Sequence, residues 1–395
     1  ELGKIYVPCA VVPPANGHPL PLRHQGRLRV GFLSAFFHDH TIGRLNLGRV
    51  RHLDRDRFEV VVLSLTPADD AIARTFQQAA DRFVPLPRRV DAARDRIVEQ
   101  QLDVLLFADV GMDSITTTLA FSRMAPVQCV TWGHPDTTGS PTIDYFLSGE
   151  HLDLPEAHSH YTEQLVRLPH LGVYYESPVG QGPARARFYF GLPETATCYV
   201  CPQSLFKLHP EFDSLLADIL AADPQGEIVL IEGRLPNWTQ QLRLRFERTL
   251  PEQGRRVRFL PPLGLDDYLS LLAVADVVLD PIHFGGGNSS YEAFSVGAPV
   301  VTFPGQYLRS RITAALYVKM GFTDLIAATP DEYVALCLRV GRDQDYRTYV
   351  REQIRIRSAV LFADLGEVAG LEAFLWSLTG QTSPSVSLVS RGQIA

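Results

Sequence analysis

The chain has 395 residues, 46% of them hydrophobic and 21% charged. That is enough apolar side chain to bury a large core and too little charge for a disordered chain. The 37 Lys and Arg against 44 Asp and Glu leave a net charge of -7, which excludes a surface built to neutralise nucleic acid or anionic lipid, so any cationic site is local.

At roughly 150 residues per domain the length predicts two or three domains. No uncharged apolar run approaches the roughly 20 residues a bilayer span needs. The longest, between Glu292 and Arg309, holds Gly297, Pro299, Pro304 and Gly305. A soluble protein with no membrane span is expected. Five cysteines, few and odd in number, fit a reducing cytoplasm better than a disulfide scaffold. Cys198 and Cys201 form one C-x-x-C inside an apolar run that reads as a strand. Their offset of three points them to opposite faces, which favours a buried structural role over zinc or redox chemistry. The start, Glu1 to Tyr6, lacks an initiator Met and a signal-peptide pattern, so a processed or truncated chain is expected.

In chain order, residues 1–28 are rich in Pro and polar groups and read as a lead-in. Runs of β-branched and aromatic residues at 29–34, 58–65, 104–107, 127–132 and 143–147 predict strands, with helical patterns such as 90–102 between them. A break at 176–187, ESPVGQGPARAR, marks a linker, separating a first domain, 29–180, from a second, 187–362. Further strands are predicted at 198–202, 227–231, 257–260, 277–279 and 299–303. The helix opened by Pro210 aligns Phe212, Leu215, Leu216, Ile219 and Leu220 on one face. A second helix carries Ile312, Ala315 and Leu316 and stops at Gly321. A closing helix, 363–380, repeats Leu371, Phe374, Leu375 and Leu378 at i, i+3, i+4, i+7 and must dock on something; a tail, 381–395, follows. Alternating strands and helices imply an α/β fold, two Rossmann-like domains facing a cleft.

The stretch LDPIHFGGGNSSYEAFSVG is the most informative. Gly285, Gly286 and Gly287 let the backbone approach a ligand, and Asn288, Ser289 and Ser290 open a helix whose N–H groups suit phosphate. Neither a dinucleotide fingerprint nor a P-loop is present. Glu292, one turn in, suits a ribose diol. Lys207 follows a predicted strand in CPQSLFKLHP, at the edge where α/β sheets bind ligands; a solvated surface charge is the alternative. His38 and His40 follow the first strand and suit acid–base work near neutral pH, or are solvated loop residues. His151, His158 and His160 read as a surface loop. Asp54 and Asp56 precede a strand, opposite the ligand edge, and are rejected as a metal site.

Five collinear segments carry a resemblance: LRVGFLSAFFHDH, APVQCVTWGHPDTTGSPTIDY, LFKLHP, AVADVVLDPIHFGGGNSSYEA and GAPVVTFPGQYLRSR. From about Leu28 to Leu378 the chain resembles the catalytic region of glycosyltransferase family 41, the O-linked N-acetylglucosamine transferase and SPINDLY-like group. The resemblance implies the GT-B fold, a UDP-sugar donor, inversion at the sugar, a polypeptide acceptor and no essential metal or other cofactor. It matches His40 to the active-site histidine and Lys207 to the lysine on the UDP diphosphate. It also places Gly286, Gly287, Asn288, Ser289 and Ser290 at the phosphates, Glu292 at the ribose and Tyr268 at the uracil. Trp132 and His134 fall in the TWGHP segment, and Arg311 matches a recurrent Arg without an assigned ligand.

Departures leave acceptor and donor open. Animal members have His-Thr-Thr where this chain has Gly287-Asn288-Ser289, and Asp103 replaces a His. The pattern from Phe284 to Asn288 is similar to the bacterial N-glucosyltransferase branch, and no tetratricopeptide helices precede Leu28. Phe284 and Trp132 stand where smaller residues flank the C2 substituent, which favours UDP-glucose, whereas the whole-chain resemblance favours UDP-N-acetylglucosamine. The expected activity is transfer to Ser or Thr of a protein, in the cytoplasm. Asn glucosylation, UDP-sugar epimerisation and non-catalytic UDP-sugar binding are the alternatives.

Overall fold

The computed structural model describes residues 26–178, 180 and 182–380; most of the lead-in and the tail from 381 lie outside the described residues. The chain divides into two compact units, one running to Glu176 and resuming at Ala363, the other spanning Ser177–Phe362. Among the described residues no helix is long and apolar enough to cross a membrane.

The first unit holds seven parallel strands: β1 (Leu28–Ser34), β2 (Phe58–Ser64), β3 (Arg82–Pro85), β4 (Val104–Phe107), β5 (Val127–Thr131), β6 (Tyr145–Gly149) and β7 (Gln164–Leu168). Their order is β3-β2-β1-β4-β5-β6-β7. Helices cover both faces of such a sheet, so its strands read as near-continuous apolar runs; only Arg29 and Glu59 break the burial of β1 and β2. These two are register partners, joined by a 2.9 Å ion pair. The edge strands β3 and β7 escape the sequence reading because each is short and carries an Arg, as edges do to discourage further pairing.

The second unit holds β8 (Thr197–Cys201), β9 (Gly226–Ile231), β10 (Val257–Leu260), β11 (Val277–Leu279) and β12 (Val300–Val301), all parallel, in the order β10-β9-β8-β11-β12. Both sheets therefore reverse direction of growth at one point, between β1 and β4 in the first and between β8 and β11 in the second. Loops leave such a switch point to opposite sides and open a crevice at the carboxyl edge. Cys198 and Cys201 are free thiols buried in β8, and burial pushes both up to about 12.

Several element boundaries differ from expectation for local reasons. The strand expected at 143–147 begins at Tyr145, because Asp144 turns its carboxylate to Arg123 and to the N–H of Gln128. The helix expected to reach residue 102 stops at Val98, ahead of Gln101 in a left-handed conformation at φ 52°. The strand expected at 299–303 shortens to two residues, extended by a single bridge from Thr302 to Ile326. The helix Pro210–Ala222 buries all five residues of its predicted face.

The closing helix, Leu365–Ser377, belongs to the first unit. Leu371, Phe374 and Leu375 join the core built on Phe58, Val60, Leu147 and Val166. Buried Glu367 accepts the N–H groups of Leu171 and Gly172, at 3.3 and 2.7 Å. Losing a ring from a core that cannot close over it costs about 3–5 kcal/mol. Phe374→Ala is therefore expected to destabilise the first unit by that amount in urea titration; a loss within about 0.5 kcal/mol, the usual range for a surface site, shows a helix that is not part of the core.

Candidate active site

In the second unit, the loops after β8 and β11 flank the switch point. Asp280, the residue after β11, is 3% exposed. A buried carboxylate must recover its lost hydration from protein donors; Asp280 takes the N–H of Gly286 at 2.6 Å and the hydroxyl of Thr302 at 2.8 Å. Burial still pushes its carboxyl above the usual range, with the N–H of Gly286 and the hydroxyls of Thr302 and Thr313 opposing. These bonds curl the glycine loop over the carboxylate. A Cβ on Gly286 would lie 2.3 Å from Ser290 Oγ, 2.8 Å from Ser289 Oγ and 2.9 Å from Gln203 Nε2. Only glycine leaves that polar concavity open.

The helix Asn288–Ser295 begins directly after the loop, with Gly287 as its cap residue. Ser290 N–H bonds to Gly287 O at 3.0 Å; the N–H groups before it have no carbonyl a turn earlier in the helix, which makes this end a place for anions. Ser290 Oγ is tied to Thr313 Oγ1 at 2.7 Å. Gln203, two residues beyond β8, donates to Ser289 Oγ, and its Oε1 accepts from Lys207 Nζ at 3.1 Å. Lys207 also donates to Gly285 O at 3.1 Å, and its ammonium lies 4.6 Å from the centre of the Phe284 ring. Desolvation pulls Lys207 down from 10.5 to about 8, with the charge of Asp280 opposing. The direct partners of this cation are neutral acceptors and an aromatic face, with a carboxylate only at longer range, so an incoming anion would be its first hydrogen-bonded counter-charge. Phosphate or diphosphate fits this set of donors.

Glu292 is buried one turn into the same helix, and Tyr268 is half-buried in the first turn of the helix Leu265–Val274, which follows β10. Arg311 donates to Gly305 O at 2.9 Å.

In the first unit, His40 caps the helix Thr41–His52, its Nδ1 accepting the N–H of Ile42 at 3.2 Å, and its ring stacks on Phe36 at 4.4 Å. Because a main-chain N–H can only donate, the Nδ1 lone pair is engaged and the neutral ring carries its proton on Nε2. In the neutral ring Nε2 is therefore the donor nitrogen. Asp109, two residues beyond β4, is fully buried. Its Oδ2 accepts from Ala35 N at 3.1 Å, in the loop leading to His40, while Oδ1 has no hydrogen-bond partner among the described residues. Burial pushes its carboxyl from 3.8 up to about 7, helped by the charge of Asp113 and opposed by the Ala35 N–H.

His134 follows β5 and packs on Gly111, whose added Cβ would lie 3.1 Å from the imidazole. Trp132 is 3% exposed and donates its indole N–H to Leu171 O at 2.9 Å. Its ring belongs to the packing of the first unit rather than to an open wall. His158 and His160 lie in a short 3-10 turn, apart from His151, which packs on His170 with ring centres 5.6 Å apart. Asp54 holds the N–H of Asp56, closing a turn ahead of β2.

The sequence reading thus located Lys207, Phe284, Gly286, Gly287, Asn288, Ser289, Ser290 and Glu292 on one carboxyl edge, and His40, Trp132 and His134 on the other unit's carboxyl edge. It gave no role to Gln203, Asp109 or Asp280. All three are polar residues within two positions of the end of a strand flanking a switch point, a placement recognisable only once strand order is known.

The sequence profile of Glycosyl transferase family 41 matches residues 13–175 and 181–364. An O-GlcNAc transferase of Thermobaculum terrenum, solved as a mutant, superposes with a TM-score of 0.81 at 28% identity, covering 96% of this chain and 72% of that one. A probable UDP-N-acetylglucosamine–peptide N-acetylglucosaminyltransferase SPINDLY of Hordeum vulgare is 28% identical over 343 residues, 83% of this chain and 35% of the relative. The SEC protein of Arabidopsis thaliana, described by the same activity, is 26% identical over 84% of this chain and 36% of its own length. The chain thus spans about a third of the curated relatives it matches. With the profile matched across both units and the GT-B architecture in place, the chain belongs to glycosyltransferase family 41.

Proposed function

We propose that this chain transfers a sugar, with inversion, from a UDP-sugar to a Ser or Thr hydroxyl of a polypeptide, with N-acetylglucosamine as the sugar. The observation that carries the reading is the Lys207, Gln203 and Ser289 chain across the open Gly286 concavity, a cationic seat for a diphosphate. The acceptor oxygen attacks the anomeric carbon as its bond to the β-phosphate oxygen breaks, and UDP leaves with the electron pair. Lys207 and the helix start meet the growing negative charge, so they stabilise the transition state more than the ground state. The positive field comes from the chain itself, so the reading requires no metal. His40 orients the acceptor by hydrogen bonding. The acceptor's proton then passes to a phosphate oxygen of the donor.

The N-acetyl donor is supported by the activities attributed to the barley and Arabidopsis relatives, and by the places of the two bulky side chains. Trp132 is bonded into the packing, and Phe284 supports Lys207. Neither needs to face the sugar's C2 substituent. Incubating the full chain with a proteome digest and a panel of UDP-N-acetylglucosamine, UDP-glucose and GDP-sugars, read by mass spectrometry, tests the reading. A hexosamine on Ser or Thr is the expected product; hexose on Asn, transfer from a GDP-sugar only, or epimerised donor without acceptor overturns it.

Lys207→Gln is expected to lower turnover by a hundredfold or more, since one such contact is worth about 2.7–4 kcal/mol. UDP binding carries a pH signature from the same residue. A diphosphate raises the amine from about 8, so affinity is full below that pH and falls, by up to about tenfold per unit, as pH rises through it. Calorimetry across pH 6–9.5 checks this; a flat wild-type profile, or the same slope in Lys207→Gln, removes Lys207 from the diphosphate.

His40→Asn keeps a good N-cap acceptor while deleting the imidazole. Turnover is expected to fall by about a hundredfold, with UDP affinity and melting temperature at wild-type values; unchanged turnover would leave His40 a capping residue only.

Phe284→Cys is expected to weaken transfer from UDP-glucose and UDP-N-acetylglucosamine by the same factor, because the ring supports Lys207. A selective gain for the N-acetyl donor in competition assays would mean instead that the ring limits room at C2.

A further inference from the structure

We propose that Glu150, His151 and His170 form a binding site for one divalent transition-metal ion of the zinc type on the first unit. The parallel ladder builds it. Gly149 at the end of β6 is the register partner of Leu168 at the end of β7, so the residues that follow the two strands emerge side by side. The main chain then locks them together: Glu150 N donates to Leu168 O at 2.9 Å, His151 N to His170 O at 3.1 Å, and His170 N to Glu150 Oε1 at 2.9 Å. His170 holds a left-handed backbone at φ 55°, and a Cβ on Gly149 would lie 2.5 Å from His170 O. The close approach needs glycine there.

The side-chain donors converge in consequence. His170 Nδ1 lies 3.5 Å and His151 Nε2 3.9 Å from the same oxygen, Glu150 Oε1, and the donor atoms of all three residues lie within 4.8 Å of one another. The two longer separations are outside good hydrogen-bond geometry. They approach the donor-to-donor edge of about 3.4 Å that a tetrahedral ion with bonds of about 2.0–2.1 Å imposes. Two imidazoles with one carboxylate select zinc-like ions over magnesium or calcium, which prefer all-oxygen shells. The His170 N–H bond fixes the carboxylate's direction, the outer support such sites use. Among the described residues three protein ligands converge here, which leaves a fourth position for water.

An ion here would brace the segment from Pro169 to Gly172, whose Leu171 carbonyl holds the Trp132 indole and whose N–H groups meet Glu367. The site shares no residue with the Lys207 cradle and does not rest on the transfer reading. In a second cluster, His209, Glu211 and His283, two of the would-be ligand atoms are bonded directly to each other. His209 Nδ1 accepts the N–H of Glu211 at 3.3 Å, and His283 Nε2 meets Glu211 Oε2 at 2.8 Å. It serves as the control.

The test is calorimetric titration of the full chain with Zn²⁺ in a non-chelating buffer, with circular dichroism melts in EDTA to verify folding. One ion per chain is expected. His170→Asn, which tolerates the left-handed backbone, and His151→Gln should each weaken binding at least tenfold, while His283→Gln keeps the wild-type isotherm. If His170→Asn is misfolded, His151→Gln decides. No saturable uptake by about 1 mM, equal uptake of Mg²⁺, or loss in His283→Gln with retention in the folded His170 and His151 variants overturns the proposal.

Discussion

Burying the Asp280 carboxylate at the end of β11 is the constraint around which the second unit's ligand edge is arranged. Removed from water, the group demands donors, and the nearest are the N–H of Gly286 and the hydroxyls of Thr302 and Thr313. Meeting that demand curls residues 281–287 back over the strand end. The curl places Gly285 O within reach of Lys207 and starts the helix Asn288–Ser295 with Ser289 of its N-terminal turn beside Gln203. The same negative charge moderates the desolvation that would otherwise discharge Lys207 further. One buried acid thus shapes the loop, seats the cation and keeps it ionisable.

The first unit repeats the device in its own sheet. Asp109 lies two residues beyond β4 as Asp280 lies one beyond β11, each following a strand that borders the switch point. Here the main-chain donor comes from across that point: Ala35, in the loop after β1, bonds to Asp109 Oδ2. The loop so held leads to His40, whose helix-capping bond settles the tautomer. Strand order, a buried acid and a helix cap together position one imidazole and fix which of its nitrogens is the acceptor. That is a chemical consequence of the fold rather than of the histidine itself.

The remaining helix, Leu365–Ser377, returns the chain to the first unit after the second is complete. Its apolar face fills the core beside β2, β6 and β7, and Glu367 finishes the backbone of Leu171 and Gly172. That segment in turn holds Trp132. A residue aligned with a sugar pocket is therefore bonded into a structural path that runs from the closing helix to the carboxyl edge.

Much of this was legible in the chain alone. Apolar, β-branched runs such as FEVVVLS and CYVC read as strands buried on both faces, a repeat at i, i+3, i+4, i+7 reads as a docking helix, and three glycines between a strand and an Asn-Ser-Ser helix start are costly unless backbone must approach a ligand. Five collinear segments then pointed to the family, because their order over nearly the whole length is far more specific than any one of them. What sequence could not supply was neighbourhood. The roles of Gln203, Asp109 and Asp280 depend on which strands flank the switch point. The convergence of Glu150 and His151 with His170 depends on the register of β6 against β7, and the fate of Trp132 on a carbonyl 39 residues away. Local pattern encodes what each segment becomes, since periodicity and backbone preference are short-range. Which polar side chains share a site is set by strand order and register, which only the packed sheet decides.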